Sequence, residues 1–265
     1  MFLFRLEIGI IVFLFGITVG SFLNVLIYRI PKKEEFVKTR SHCMSCGYQL
    51  EWYDLIPILS WLALGGKCRK CKSKISAQYP LIELLNGILW LLSFLFYDLS
   101  ITTLLFCGLF SSLIALSVID FRTYEIPVGF NIFILVLGTI RVICEFLNDH
   151  NSWPEFIIGL VSVSVPLLLI FYATKGRGIG GGDVKLMGAA GLLLGWKLIV
   201  LAFFLGCLLG SVIHITRMKV SGESHVLAMG PYLSAGIVIA CFFGEKLISA
   251  YFGYIDHLMA AFLWI

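Results

Sequence analysis

Charge is scarce in this chain. Of its 265 residues only 14% are charged, while 59% are apolar, and the mean hydropathy is +0.96. Ordinary soluble domains are about 25% charged and about 45–50% apolar. Too few polar side chains are present to cover a water-facing surface, which argues against a soluble enzyme, a disordered tail or a secreted disulfide scaffold. Several catalytic signatures are also missing. No H-E-x-x-H pair supplies the ligands of a zinc protease, and no G-x-S-x-G elbow supplies a serine nucleophile. No G-K-[ST] follows the glycine run at 178–182, and no strand pattern precedes it, so neither a Walker loop nor a dinucleotide fingerprint is present. The five histidines (His42, His150, His214, His225, His257) form no ligand spacing. No internal repeat is evident.

What the chain has instead is long hydrophobic runs. A membrane-crossing helix needs about 20 mostly apolar residues. Eight stretches qualify or nearly so: Ile8–Ile30, Pro80–Tyr97, Ile101–Ile119, Val128–Leu147, Phe156–Ala173, Val184–Leu194, Leu198–Thr216 and Met229–Ala250. The sixth is short and glycine-rich, and is expected either to break or to run on through Gly195 and Trp196. Residues 251–265 are apolar but interrupted by Asp256 and His257, which suggests an interfacial helix. The first stretch has no A-x-A cleavage site and is read as retained. Its Gly16, Thr18, Gly20, Ser21 and Asn24 suggest a face packed on other helices. The expected fold class is an all-α polytopic membrane protein of about eight transmembrane helices. Its parts are a first helix at 1–30, a hydrophilic loop at 31–79, and a transmembrane core at 80–265.

The placement of basic residues gives an orientation. With the N-terminus outside, the inward segments are about 29–79, 120–127, 174–185 and 217–227, and these hold 16 of the 20 lysines and arginines. Arg5, Arg141, Lys197 and Lys246 are the remainder. The positive-inside rule favours this arrangement, and acidic Glu145, Asp149 and Glu155 in the outward loop agree with it. The basic loop is therefore read as a topology signal, not as a nucleic-acid patch.

That loop carries Cys43-Met44-Ser45-Cys46 and, 21 residues later, Cys68-Arg69-Lys70-Cys71. Two C-x-x-C knuckles at this separation are the mark of a tetrahedral structural Zn2+ site. Four thiolates close the coordination sphere, so the metal would hold the loop together and would not activate water. Disulfide or redox pairs compete with this reading, but a loop in the reducing cytoplasm disfavours them. Cys107, Cys144, Cys207 and Cys241 sit singly in apolar stretches and are expected to pack.

Acids at membrane depth are costly and tend to be functional. The candidates are Glu83, Asp120, Asp183 and Glu245. Asp120 ends the third stretch, and Asp183 follows Gly180-Gly181-Gly182 at the start of the sixth, so both fall on the inward side of this topology. Two carboxylates brought together share a proton. One can then act as base on a water while the other donates to a scissile carbonyl. The glycines would permit positive φ and close approach of an extended substrate backbone.

Together these residues resemble the bacterial type IV prepilin peptidases, which process type IV pilins, type II secretion pseudopilins and competence pilins. The resemblance covers most of the chain. It rests on Gly20-Ser-Phe-Leu-Asn-Val-Leu-Ile-Tyr-Arg-Ile-Pro31, both knuckles, Trp52-Tyr-Asp-Leu-Ile-Pro57 and Tyr79-Pro80-Leu-Ile-Glu83. Further matches are Asp120 with Ile126-Pro127, Gly180 to Asp183 with Val184-Lys185-Leu186-Met187, and Gly230-Pro231-Tyr232-Leu233. Met44 stands where the family usually has proline, and Met229 where it often has phenylalanine.

The resemblance implies that Asp120 and Asp183 are the catalytic pair of a G-x-G-D aspartic endopeptidase in the bacterial inner membrane. Its substrates would be prepilins and pseudopilins, cut after a glycine that ends a short basic leader, at the cytoplasmic face. Gly180, Gly181, Gly182, Glu83 and Lys185 would contribute to substrate binding. Glu83 could instead pair with a helix, and Lys185 could tune the dyad or anchor the inward side. The resemblance further implies N-methylation of the new terminus with S-adenosylmethionine, linked to the cysteine loop, with Gly66 and Lys67 at positions associated with that activity. Two readings from other classes stay open: a transporter whose acids bind protons or cations, and a non-catalytic scaffold whose zinc loop binds a partner. The sequence gives no oligomeric state.

Overall fold

The computed structural model describes residues 2–148, 151–221 and 227–263. Asp149, His150 and His225 lie outside them. The described residues are helical, with no strand and only two isolated β-bridges. Seven helical segments are long and apolar enough to cross a membrane. The chain divides into two compact units, Met1–Phe130 and Asn131–Ile265.

The first unit contains α1 (Phe2–Arg29), α3 (Gln78–Tyr97) and α4 (Ile101–Thr123), with a short α2 (Leu59–Ala63) in the loop. The Ser100 side chain caps α4 by accepting from Thr103 N at 3.2 Å. At its other end Tyr124 turns into the left-handed region at φ 56°, where its N–H bonds the Asp120 carbonyl at 2.8 Å. The expected packing face of α1 forms against α3. A Cβ on Gly20 would lie 2.7 Å from Glu83 Cα, so only glycine permits this approach of the two backbones. Thr18 is not on that face. It is exposed, and its hydroxyl bonds the Leu14 carbonyl of its own helix. Membrane-depth polar groups are paired across the helices. The Asn86 amide donates to Gly16 O at 2.7 Å, Ser111 donates to Asn86 Oδ1 at 2.8 Å, and Trp90 donates to Ser111 at 3.0 Å. In an apolar surround such pairing is what makes the residues tolerable.

The second unit takes up most of α5 (Val128–Asn148), then α6 (Pro154–Ser162), α7 (Ser164–Ala173), α8 (Gly181–Leu194), α9 (Trp196–Ser221) and α10 (Gly230–Leu263). The helix interruption at Val163 has a cause in sequence. Pro166 has no N–H and its ring clashes with the carbonyl four residues back, at Ser162, where α6 ends. The two pieces still read as one 20-residue crossing, Pro154–Ala173. The sixth stretch does not run on into the seventh. Gly195, at φ 83°, separates α8 from α9. With 14 residues α8 is about 21 Å long, short of a ~30 Å hydrocarbon core, and it is buried along nearly all of its length. α6 crosses α8 at Gly159 and Gly191, where a Cβ on either would collide with the other's carbonyl oxygen. α10 continues without a break past Ala250, so residues 251–263 are not a separate interfacial helix.

Three of the four basic residues outside the inward segments are in ion pairs: Arg5 with Asp98, Arg141 with Glu145 at 2.8 Å, and Lys197 with Glu155 at 3.1 Å.

Candidate active site and metal centre

The cysteine loop is built on two copies of one backbone pattern. In the first, Cys43 N bonds Tyr48 O at 2.8 Å, Gly47 N bonds Cys43 O at 2.9 Å, and Leu50 N bonds Ser41 O at 2.9 Å. In the second, Cys68 N bonds Ser73 O at 2.8 Å, Lys72 N bonds Cys68 O at 3.0 Å, and Ile75 N bonds Gly66 O at 2.8 Å. Each closes on an isolated antiparallel bridge, His42 with Gln49 and Lys67 with Lys74. The residue after each second cysteine has positive φ, 70° at Gly47 and 61° at Lys72. The loop is thus an internal repeat with an offset of 25 residues, as 43 to 68 shows. Beyond the cysteines themselves, backbone groups make the pattern.

The repeat brings the four sulfurs of Cys43, Cys46, Cys68 and Cys71 within 4.8 Å of one another. Cys43 Sγ and Cys71 Sγ are 3.8 Å apart. Tetrahedral zinc with Zn–S of about 2.3 Å requires S···S edges of about 3.8 Å. Geometry and donor set therefore fit a zinc ion. The thiols respond to one another. The Ser45 backbone N–H is the chief influence pulling Cys43 down to about 6, and the Ser73 hydroxyl lowers Cys71. At Cys46 the Tyr48 N–H pulls down, but burial and the three neighbouring sulfurs outweigh it and push the thiol up to about 11. Four thiolates in this space repel, and a divalent cation removes that conflict.

Further side chains fix the loop. Arg29, at the end of α1 and 6% exposed, donates to the carbonyls of Glu35 (3.0 Å), Thr39 (2.8 Å) and Arg40 (3.3 Å). Asp54, whose side chain is nearly inaccessible, accepts from Arg69 Nε at 2.7 Å. Gly66 lies under the Trp61 ring at φ 66°, so a side chain there meets both strain and the indole. Lys67, beside it, is exposed. Glu83 is buried, and its Oε2 accepts from Ile58 N at 2.7 Å. It therefore joins α3 to the segment between the knuckles.

Asp120 lies in the last turn of α4 and is 5% exposed. Asp183 is half-buried in the first turn of α8, where the helix dipole favours a negative charge. Gly180 is the N-cap of this helix, with extended backbone. A Cβ on Gly180 would lie 2.9 Å from Asp183 Oδ2, so the carboxylate occupies the space a side chain would need. A side chain here would push on the mobile end of Asp183 and displace its carboxylate. Positive φ, the expected reason, occurs just upstream at Lys175 and Gly176 and not at Gly180, Gly181 or Gly182. Lys185 is exposed in the same first turns, and Glu245 is exposed on α10.

One residue near this motif was missed by sequence reasoning. Asn131, 4% exposed on α5, donates from Nδ2 to the Gly182 carbonyl at 3.5 Å. The signal was available, since an asparagine inside an apolar stretch needs a partner.

Comparison with known proteins agrees with this layout. Residues 14–97 match the profile described as the bacterial peptidase A24 N-terminal domain, and residues 107–215 match the type IV leader peptidase family. A Bacillus subtilis protein named prepilin leader peptidase/N-methyltransferase is 32% identical, over 91% of this chain and 96% of its own length. A Pseudomonas putida protein of the same name is 30% identical, over 89% and 90%. One from Pseudomonas aeruginosa is 29% identical, over 90% and 91%. No solved structure matches the chain.

Proposed function

Since this chain belongs to the type IV leader peptidase family, we propose that it uses Asp120 and Asp183 to cut the basic leader from prepilins and pseudopilins. Membership makes it a peptidase, and its helices make it a multi-pass membrane protein. The finer reading is that cleavage follows a glycine at the cytoplasmic face of the bacterial inner membrane. In it the N-terminus is outside, and residues 31–79 and both aspartates face inward. The observation that carries the catalytic assignment is the fit of the Asp183 carboxylate into the space left by Gly180. One aspartate takes a proton from the attacking water while the other, protonated, donates to the scissile carbonyl oxygen. Gly181, Gly182 and Lys185 border the incoming backbone.

The relatives' second named activity leads to a second step, N-methylation of the new terminus with S-adenosylmethionine as methyl source. Gly66 and Lys67, in the second knuckle, belong to that step. Zn2+ on the four cysteines holds the knuckles in place and takes no part in peptide cleavage, since its ligands are all protein thiolates. In this organisation residues 31–79 are the zinc loop and residues 80–265 the peptidase core.

Mass spectrometry of a co-expressed prepilin tests both steps, reporting the cleavage site and any added methyl mass. Asp120→Asn and Asp183→Asn each abolish cleavage while the metal content stays that of the wild type. Wild-type cleavage by either variant would overturn the assignment. Gly180→Ala pushes on the carboxylate and lowers kcat by roughly 10- to 100-fold.

A further inference from the structure

The cysteine loop is hydrophilic except in one place. Residues 55–66, Leu55-Ile-Pro-Ile-Leu-Ser-Trp-Leu-Ala-Leu-Gly-Gly66, carry no charge and are set between Asp54 and Lys67. An apolar run of about 10–14 residues is too short to cross a bilayer, and belongs in a core or at a membrane interface. This run is not core, because only Gly66 in it is buried. Leu59 is 65% exposed and Leu62 59%, and Trp52 just upstream is 75% exposed.

The polarity of the segment is the reverse of a water-facing loop. In the turn Trp52–Leu55 the Asp54 side chain is turned inward and paired with Arg69, while Trp52 and Leu55 are exposed. In α2, Leu59 and Leu62 are three residues apart and share a face, and both are exposed. Ser60 bonds the Ile56 carbonyl at 2.7 Å, and with Trp61 and Leu64 it lines a cavity under the loop. Exposed leucines and tryptophan beside an inward-turned acid suit an apolar surround better than water.

The height of the segment is set by a membrane helix. Ile58, the cap residue before α2, donates its N–H to Glu83 Oε2 at 2.7 Å. Glu83 is about 8 Å along α3 from its start at Gln78, and the 20 residues of α3 are about 30 Å long, no more than the hydrocarbon core. The carboxylate therefore lies no farther out than the bilayer boundary, and α2 begins beside it. Lipid-facing side chains already occur at this height. Leu81 on α3 is exposed, as is Phe22 on α1, two residues past the Gly20 that meets Glu83.

The rest of the loop complements an anionic headgroup layer. Between residues 31 and 79 every lysine and arginine is exposed, whereas Glu34 and Glu35 are the exposed acids. Arg69 stacks on the Tyr53 ring at 4.9 Å, and Tyr53 packs edge-on against Trp52 at 5.6 Å. Tryptophan and tyrosine beside basic groups is the composition of an interfacial segment.

We propose that residues 52–63 form an interfacial membrane anchor. Trp52, Leu55, Leu59 and Leu62 sit at the boundary of headgroups and acyl chains on the loop side of an anionic bilayer. Asp54 and Ser60 face away from the lipid. The anchor holds the segment between the knuckles on the bilayer beside α3. It depends on the membrane-crossing helices and not on the peptidase reading.

The test uses the full-length, metal-loaded protein in nanodiscs of phosphatidylcholine and phosphatidylglycerol. A nitroxide is attached through a keto amino acid, which leaves the zinc cysteines untouched, at Leu59, Leu62 or Glu35 in turn. Collisions with oxygen, which concentrates among acyl chains, are compared with collisions with a water-soluble nickel chelate. The oxygen-to-nickel ratio should be severalfold higher at Leu59 and Leu62 than at Glu35, with metal content at the wild-type level. Equal ratios at the three sites would mean a water-facing segment and overturn the proposal. Exclusion of both reagents from Leu59 and Leu62 would mean that protein covers this face, and would overturn it equally. A second measurement needs no label. Trp52 fluorescence, taken as the difference between the wild type and Trp52→Phe, should be quenched by lipids brominated near the glycerol end of the acyl chain. Unquenched Trp52 in metal-loaded protein would also sink the anchor.

Discussion

Both units of this protein bring helices close at glycines, Gly20 against Glu83 in the first and Gly159 against Gly191 in the second, but they differ in what polar side chains add. In Met1–Phe130 polar side chains bridge the elements: Asn86 with Ser111 and Trp90, Arg29 with the loop carbonyls, Glu83 with Ile58. In Asn131–Ile265 the closest approaches depend on missing side chains. Gly159 meets Gly191, and Gly236 meets the Ala202 carbonyl. The first device tolerates loss of a group at the cost of unpaired partners. The second tolerates almost no addition, because packed backbones cannot move aside.

The largest expected effect is in the first unit, where four loop cysteines offer a metal site beside the side-chain contacts. Structural zinc supplies on the order of 10 kcal/mol of folding free energy to small cysteine domains. Cys68→Ser removes the one buried ligand. Metal analysis should fall from about one zinc per chain toward none, and limited proteolysis should open residues 31–79. Acidification should do the same to the wild type, since protons compete with metal for the four thiolates. Methyl transfer is expected to suffer more than leader cleavage, and equal loss of both would contradict the division of labour proposed here.

Next in size is a side chain added to the second unit. Gly191→Leu drives a branched group against the Gly159 carbonyl. It should destabilise that unit by about 3 kcal/mol, the upper end for overpacking, as read by thermal unfolding in nanodiscs. A change of only a few tenths would mean that α6 and α8 part easily. The matching cut in the first unit is Ser111→Ala, which leaves Trp90 Nε1–H and Asn86 Oδ1 without this partner. Its expected cost is about 1 kcal/mol. If it proves the more damaging of the two, the contrast between the units is reversed.

Much of this was legible in the sequence because it depends on residue type at a spacing. C-x-x-C pairs, apolar runs and glycines before Asp183 all survive as written patterns. Pro166 also states where α7 must part from α6. Less legible were features made by the backbone or by distant partners. The paired cysteines mark the knuckle repeat, but the N–H···O bonds that shape each copy leave no further trace in the side chains. The pairing of Asp54 with Arg69 looks, in sequence, like two more charges in a polar loop. Asn24 was read as part of a packing face without its partner, and Asn86 and Asn131 were passed over although an amide in an apolar stretch needs a partner. The glycine run shows the difference most clearly. Its importance was visible, while the closeness of the Asp183 carboxylate to Gly180 required coordinates.

The smallest expected effect concerns charges that the two units hold at their surfaces. Lys197 and Glu155 are each about 50% exposed and lie 3.1 Å apart. Exposed pairs of this kind are worth about 0.2–1 kcal/mol, because water and salt screen them. Glu155→Gln should therefore leave thermal unfolding nearly unchanged. It has a second use. Pairing Arg5, Arg141 and Lys197 with acids leaves little uncompensated positive charge outside the four segments proposed to face inward. Glu155→Gln releases the Lys197 charge, yet residues 29–79 alone carry ten lysines and arginines. Orientation, read by membrane-impermeant labelling of an introduced surface cysteine, should not change. A flipped or mixed population would show that the balance rests on a few paired residues and not on the basic loop.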